Sequence, residues 1–148
     1  MIHFEGDRSF TQPIDVVFAK LGDASFLVSC LKEVEEVTEA NADKAAWKQR
    51  PGLSFIRTTL DTSMEIVQRD APKSIKVKLF SRGIGATSTI MAELVCSPAD
   101  TGTKVHWLAD VTELTGLLKL VPKGLITSSA SKIIEETWSE IEKKLQGA

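Results

Sequence analysis

Two histidines, two cysteines and a scatter of carboxylates are the residues with chemistry to offer in this chain of 148 residues. His3 and His106 are the natural metal ligands among them. Each falls on the outward parity of an alternating strand, and even as neighbours the two would still need further ligands and an open position. No metal site is expected. Cys30 lies in SFLVSCL and Cys96 in MAELVC, so both read as buried, reduced thiols. Glu65, Asp110 and Glu113 are candidate acids, yet no spacing joins any of them to a base. RGIGA at 82–86 has the glycines of a phosphate loop but stands between two strand patterns, where it reads as a hairpin. No catalytic residue and no cofactor is expected.

Composition narrows the field from another side. With 43% hydrophobic and 26% charged residues the chain has the makeup of one soluble domain spanning 1–148. A net charge of -2 supplies no field to gather phosphates, which argues against nucleic acid as a partner. No run approaches the roughly 18 apolar residues of a spanning helix. The start, MIHFEGDRSF, has neither the basic nor the apolar region of a signal peptide. A cytoplasmic setting is expected, in keeping with thiols in apolar contexts.

The elements that must position any site follow from periodicity. Residues 2–11 alternate, with Ile2, Phe4, Gly6 and Phe10 on one face and His3, Glu5, Asp7 and Ser9 on the other, which predicts a half-buried strand. Pro13 suits a first helical turn, and Val16, Val17, Lys20 and Leu21 follow at helical spacing until Gly22. Asp23 then opens a second short helix striped by Phe26, Leu27 and Leu31. Between residues 32 and 71 the period drops to two, through Val34, Val37, Ala45, Trp47, Leu60, Met64 and Ile66. Asn41, Ala42 and Asp43 form a turn there, while Pro51-Gly52 is either a turn or a bulge within one longer strand. Strands at 74–81, 85–96 and 103–113 are joined by turns short enough to force antiparallel pairing. Over 126–145, Ile126, Ala130, Ile133, Ile134, Thr137, Trp138, Ile141 and Leu145 recur at three- and four-residue intervals, the stripe of a long amphipathic helix. Just before it, LTGLLKLVPKGLI is interrupted by Gly116 and Pro122.

A run of antiparallel strands buries a concave face only against something apolar, and the final helix is the element long enough to fill it. The predicted class is therefore α+β: a curved antiparallel sheet of about seven strands wrapped around a long C-terminal helix, with two short helices after the first strand. This order resembles, over the whole chain, the START-like or helix-grip (SRPBCC) superfamily of the birch pollen allergen, polyketide cyclases and lipid-transfer domains. The strings SFTQPIDVVFAKLGD, FLVSCLKEVEEV and TKVHWLADVTELTGLLKLVPKGLI are similar to the bacterial carbon monoxide dehydrogenase G-subunit branch, with Cys30, Leu31 and the EVEEV string at 33–37 in matching places. The resemblance implies a cavity for a hydrophobic small molecule such as a lipid, a quinone or a polyketide-like compound. For that branch it also implies a link to membrane-associated molybdenum enzymes, and hence a partner dehydrogenase. Members tied to membrane anchoring commonly carry residues beyond the last helix, whereas this chain stops at Gly147-Ala148, so peripheral membrane contact is the weaker expectation.

Strand parity then sketches the cavity wall. Ile75, Val77 and Leu79, then Ile90, Ala92, Leu94 and Cys96, then Val105, Trp107, Ala109 and Val111 should share the inner face. The expected ligand contacts are Leu60, Met64, Ile75, Val77, Leu79, Ile90, Leu94, Trp107 and Ala109 on the sheet, Leu117, Leu120 and Val121 on the interrupted segment, and Ile126 and Ala130 on the helix. Trp107 either packs the core or stacks on the ligand. The short side chains at 127–131 either leave room or let the helix settle closely on the sheet. The 116–124 segment is a gate or a greasy cap. A basic stripe of Lys73, Lys76, Lys78 and Arg82 and an acidic strand carrying Glu33, Glu35, Glu36, Glu39 and Asp43 read as solvated faces, with a docking face for a protein or an anionic bilayer as the sharper alternative. The expected function is non-catalytic binding or transport of the hydrophobic molecule. Its rivals are a cyclase- or hydratase-type enzyme using the same cavity, and an accessory protein docking on a molybdenum-containing dehydrogenase.

Overall fold

The computed structural model describes residues 2–50, 59–83 and 85–146. Its elements run β1 (Ile2–Phe10), α1 (Ile14–Leu21), α2 (Ala24–Ser29), β2 (Val34–Ala40), β3 (Lys44–Gln49), β4 (Leu60–Asp70), β5 (Ser74–Gly83), β6 (Ala86–Ala99), β7 (Gly102–Thr115), a short 3₁₀ helix (Gly116–Leu120) and α3 (Lys123–Gln146). The seven strands form one antiparallel sheet in the order β1-β7-β6-β5-β4-β3-β2. The first strand thus closes the sheet by pairing with the last, Ile2 opposite Val111 and Phe10 opposite Thr103. This is the curved sheet and long C-terminal helix that the sequence order predicted. Pro51-Gly52 lies outside the described residues.

Local chemistry explains the early helices. The Pro13 carbonyl accepts the amides of Val16 and Val17, each at 3.1 Å, so the proline stands just ahead of α1 rather than within its first turn. Asp23 caps α2 as expected, its Oδ1 accepting the Ser25 amide at 3.0 Å. Asn41 closes the β2–β3 turn by accepting the amides of Asp43 and Lys44, both at 2.9 Å.

The two long strands overrun their predicted ends. Thr87 and Thr115 face each other across β6 and β7 with their hydroxyls 2.6 Å apart, which carries the ladder past residue 113. Two expectations of burial fail. Val37 is exposed because β2 is bulged on both sides of it and loses its alternation. Ile133, placed on the apolar stripe of α3, is also exposed, and the packed stripe runs through Ile134, Trp138, Ile141 and Leu145.

Candidate ligand-binding cleft

Register sorts the inner face of the sheet into rows. Ile75, Leu94, Trp107 and Gly6 stand side by side across β5, β6, β7 and β1, and the three side chains among them are buried. The next row is Val77, Ala92, Ala109 and Phe4, and beyond it Leu79 and Ile90 face each other. There Leu79, Ile90, Ala92, Ala109 and Phe4 are only half-buried. The concave face is filled at one end and left partly open at the other.

The cause lies in how α3 meets the sheet. Its buried residues, Trp138, Ile141 and Leu145, all belong to its C-terminal half. Trp138 packs between Phe10 and Trp107, with ring centroids 6.2 Å from each. Trp107 in turn lies flat over Gly6, where a Cβ would stand 2.9 Å from its ring, so a larger residue at position 6 would push the indole off the sheet. Polar contacts reinforce the same half. Arg8 points inward from β1 and pairs with Glu135 and with Glu142, the latter at 3.3 Å. Gln12 donates to the Leu145 carbonyl at 3.1 Å, and Lys144 donates to the Ser29 carbonyl. In the N-terminal half of α3 the short residues Ser129 and Ala130 turn only partly inward, and Leu125 is exposed.

Where the helix begins, a cleft of about 290 Å³ opens. Ile2 and Val111 form its floor, Leu114, Leu118, Val121 and Ile126 its sides, and Glu113, Lys119 and Lys123 contribute its charged groups. Gly116 makes this geometry possible. Its φ is +61°, and a Cβ there would fall 1.9 Å from the Gly85 carbonyl oxygen, so only glycine lets the chain turn so tightly against the β5–β6 hairpin. The turn drives Leu118 into a small buried cluster with Ala86 and leaves Leu117 and Leu120 pointing outward, 53% and 79% exposed.

Of the expected contacts, Val121 and Ile126 line the cleft, and Leu60, Leu79, Ile90, Ala109 and Ala130 are half-buried. Met64, Ile75, Val77, Leu94 and Trp107 belong to the packed core, while Leu117 and Leu120 face solvent. Ile2, Leu114 and Leu118 line the cleft without having been among the expected ligand contacts. Trp107 has a further peculiarity: its buried Nε1 has no hydrogen-bond partner among the described residues.

The outer face holds the titratable groups. His3 sets Nδ1 2.6 Å from Asp110 and Nε2 2.9 Å from Glu5, and His106 sets Nε2 2.8 Å from Glu5 and Nδ1 2.9 Å from Asp7. Carboxylate oxygens lie at all four ring nitrogens, an arrangement that favours the protonated form of both rings. The hydrogen bond to Glu5, followed by that to Asp110, raises the pKa of His3, and the bond to Asp7 leads the rise at His106. Among the described residues no group of three or more His, Cys, Asp and Glu side chains has a metal-holding arrangement. Burial pushes the Cys96 thiol up to about 11 and raises Cys30 as well, which leaves both protonated and unreactive at neutral pH.

The family model for CoxG, the G subunit of carbon monoxide dehydrogenase, matches residues 6–146. No curated protein matches the chain. Among solved structures, a conserved protein from Geobacillus kaustophilus superposes with a TM-score of 0.84 at 17% identity, covering 99% of this chain and 96% of that one. A START superfamily protein from Mycobacterium smegmatis gives 0.70 at 8% identity, with 98% and 97% covered. Ara h 8.0201 gives 0.66 at 11% identity, with 99% of both chains covered. At these identities the likeness is one of fold.

Proposed function

The chain belongs to the CoxG family of carbon monoxide dehydrogenase G subunits, and from that premise we propose that it binds and carries a hydrophobic small molecule between its sheet and α3. One observation supports this most directly: Leu79, Ile90, Ala92 and Ala109 stay half-buried on the inner face of the sheet, while the buried residues of α3 all lie in its C-terminal half. Protein interiors normally fill to crystal-like density, so an apolar wall left only half-covered at mid-sheet suits an occupant. Covering it contributes about 25 cal/mol per Å² of apolar surface. The charges of the cleft come from Glu113, Lys119 and Lys123, all exposed, which suits a molecule with an apolar body and a polar end at the mouth. Lipids, quinones and polyketide-like compounds share that form.

Carriage rather than turnover is the reading that the inner face favours. Arg8 is the one charged side chain that β1 turns inward, and two glutamates already hold it. Native mass spectrometry of protein purified from its own host tests the proposal directly. A retained apolar molecule is expected. Protein that emerges empty and binds no long-chain lipid or quinone in titration would refute it.

A second reading, docking on a molybdenum-containing dehydrogenase, draws on the opposite edge. There β2 ends the sheet with Glu35, Glu36 and Glu39 exposed, a surface that suits a basic partner. Charge reversal at these three positions should abolish co-purification with such an enzyme if that reading holds.

A further inference from the structure

We infer that Thr62, Ser81 and Ser88 form a neutral hydrogen-bonding subsite on the inner wall, and that the molecule bound there presents to it an uncharged oxygen acceptor, a carbonyl or an ether. This rests on the reading that the sheet and α3 hold an apolar ligand, and it adds the chemistry by which one such ligand would be selected. Strand register supplies the geometry. Thr62 on β4 stands opposite Ser81 on β5, and Ser81 opposite Ser88 on β6. All three share the inward parity of Met64, Leu79 and Ile90, which form the next row. A line of hydroxyls therefore borders the half-buried Leu79 and Ile90.

Both rows run into the cleft. Ile90 pairs with Val111 on its floor, and Ser88 pairs with Leu114 on its side. The second pairing depends on the register shift between Thr89 and Ile90. Without it Ser88 would stand opposite Glu113, whereas the bulge sets Leu114 there and leaves Glu113 exposed. Neither row then contains an ionisable side chain.

The hydroxyls are not fully used by the protein. Thr62 is 7% exposed, and its Oγ1 lies 3.0 Å from the Ser81 Oγ. One bond between them takes one of their two protons. Whichever hydroxyl donates, the proton of the other has no side-chain or backbone acceptor among the described residues. The pair therefore always has a donor to offer, and Ser88, half-buried on the neighbouring strand, adds a further hydroxyl. A carboxylate or phosphate pressed against this row would lose its water and meet no counter-charge, whereas a carbonyl or ether oxygen gives up far less solvation and accepts the spare proton. The charged groups at the mouth, Glu113, Lys119 and Lys123, serve an end of the ligand that stays in water.

The test applies two neutral probes to the full chain: methyl nonyl ketone, which carries one carbonyl, and diphenylhexatriene, a hydrocarbon that carries none. Infrared spectroscopy of the bound ketone should show its carbonyl stretch below the position found in hexane, the mark of an accepted hydrogen bond. Thr62→Val/Ser81→Ala should weaken ketone binding about fivefold, the size of one neutral hydrogen bond, and move the stretch back toward its hexane position. Diphenylhexatriene should bind this variant as it binds the parent. Removing both hydroxyls together leaves neither one orphaned, so thermal unfolding should change little. Ser88→Ala should weaken the ketone alone in the same way. An unshifted carbonyl in the parent overturns the subsite and leaves the cavity reading standing, and this result needs no variant to fold. A shift that survives intact in the double variant, or an equal loss of both probes, also overturns it, because the hydroxyls would then serve shape rather than hydrogen bonding. A parent that binds neither probe overturns the cavity reading and the subsite with it.

Discussion

Ala92 and Ala109 face each other across β6 and β7 at the middle of the inner face, and α3 buries neither. Two methyl groups therefore stand where a packed interior would place leucines. Ala92→Leu and Ala109→Leu should fill that space, abolishing binding of a long-chain lipid or quinone while leaving unfolding unchanged. In a closed core the same changes would overpack and cost about 1–3 kcal/mol. Parallel ligand titration and denaturant melts separate the two cases.

Trp138 carries the opposite end. It is buried against Phe10 and Trp107, and Trp138→Ala should destabilise by about 3–5 kcal/mol. Equilibrium urea unfolding measures this, and an unaltered midpoint would mean that α3 does not depend on this contact.

The outer ladder of Asp110, His3, Glu5, His106 and Asp7 should make the β1–β7 seam sensitive to pH. Both histidine pKa values are raised above 6.5 in the folded state, so their contribution is fully present below that value and is lost as pH rises through the raised folded values. Glu5 and Asp7 are lowered by their bonds to the histidines, so their contribution is lost only as pH falls through the depressed carboxylate values. Seam stability should therefore be greatest in the mildly acidic range between these limits. His3→Gln/His106→Gln should flatten the alkaline side of the thermal-midpoint profile, and NMR titration of the ring protons should give both histidines pKa values above 6.5.

The segment from Gly116 to Val121 should open more readily than the central strands. Its end is secured by a long hydrogen bond, from the Val121 amide to the Leu118 carbonyl at 3.4 Å, and Leu118 is its buried anchor. Amide exchange there should be faster than in β5 and β6, and an added long-chain lipid or quinone should slow it. Protection equal to that of the central strands in the ligand-free protein would show that the segment is a fixed cap.

Local rules made most of the sheet legible. Alternation placed Ile75, Val77, Leu94, Val105 and Trp107 inward, and all are buried. Arg8 was legible by the same parity, lying between Gly6 and Phe10 on β1, but a charge on an apolar face is meaningful only once its partners are known. Those partners, Glu135 and Glu142, come from the far end of the chain. The cleft was harder to read for the same reason. Its floor pairs Ile2 with Val111, a register that no local pattern encodes, and its position depends on where α3 leaves the sheet. Ile133 and Ile134 are interchangeable in a helical stripe until the rotation of α3 is fixed by Trp138 packing on Trp107. At Leu117, Leu118 and Leu120 composition gave the apolar character, but the tight turn at Gly116 decided which of them faces in.

The pairing of β1 with β7 also bears on how the chain acquires its structure. β3, β4, β5 and β6 pair with strands adjacent in sequence and can zip together as hairpins. Within this sheet β1 has no partner until β7, the last of its strands in the sequence, has followed it. Loop closure over that span is entropically expensive and slow relative to hairpin formation. During synthesis, β1 therefore waits with Ile2, Phe4 and Phe10 uncovered, and it is the strand most in need of protection from pairing with another nascent chain.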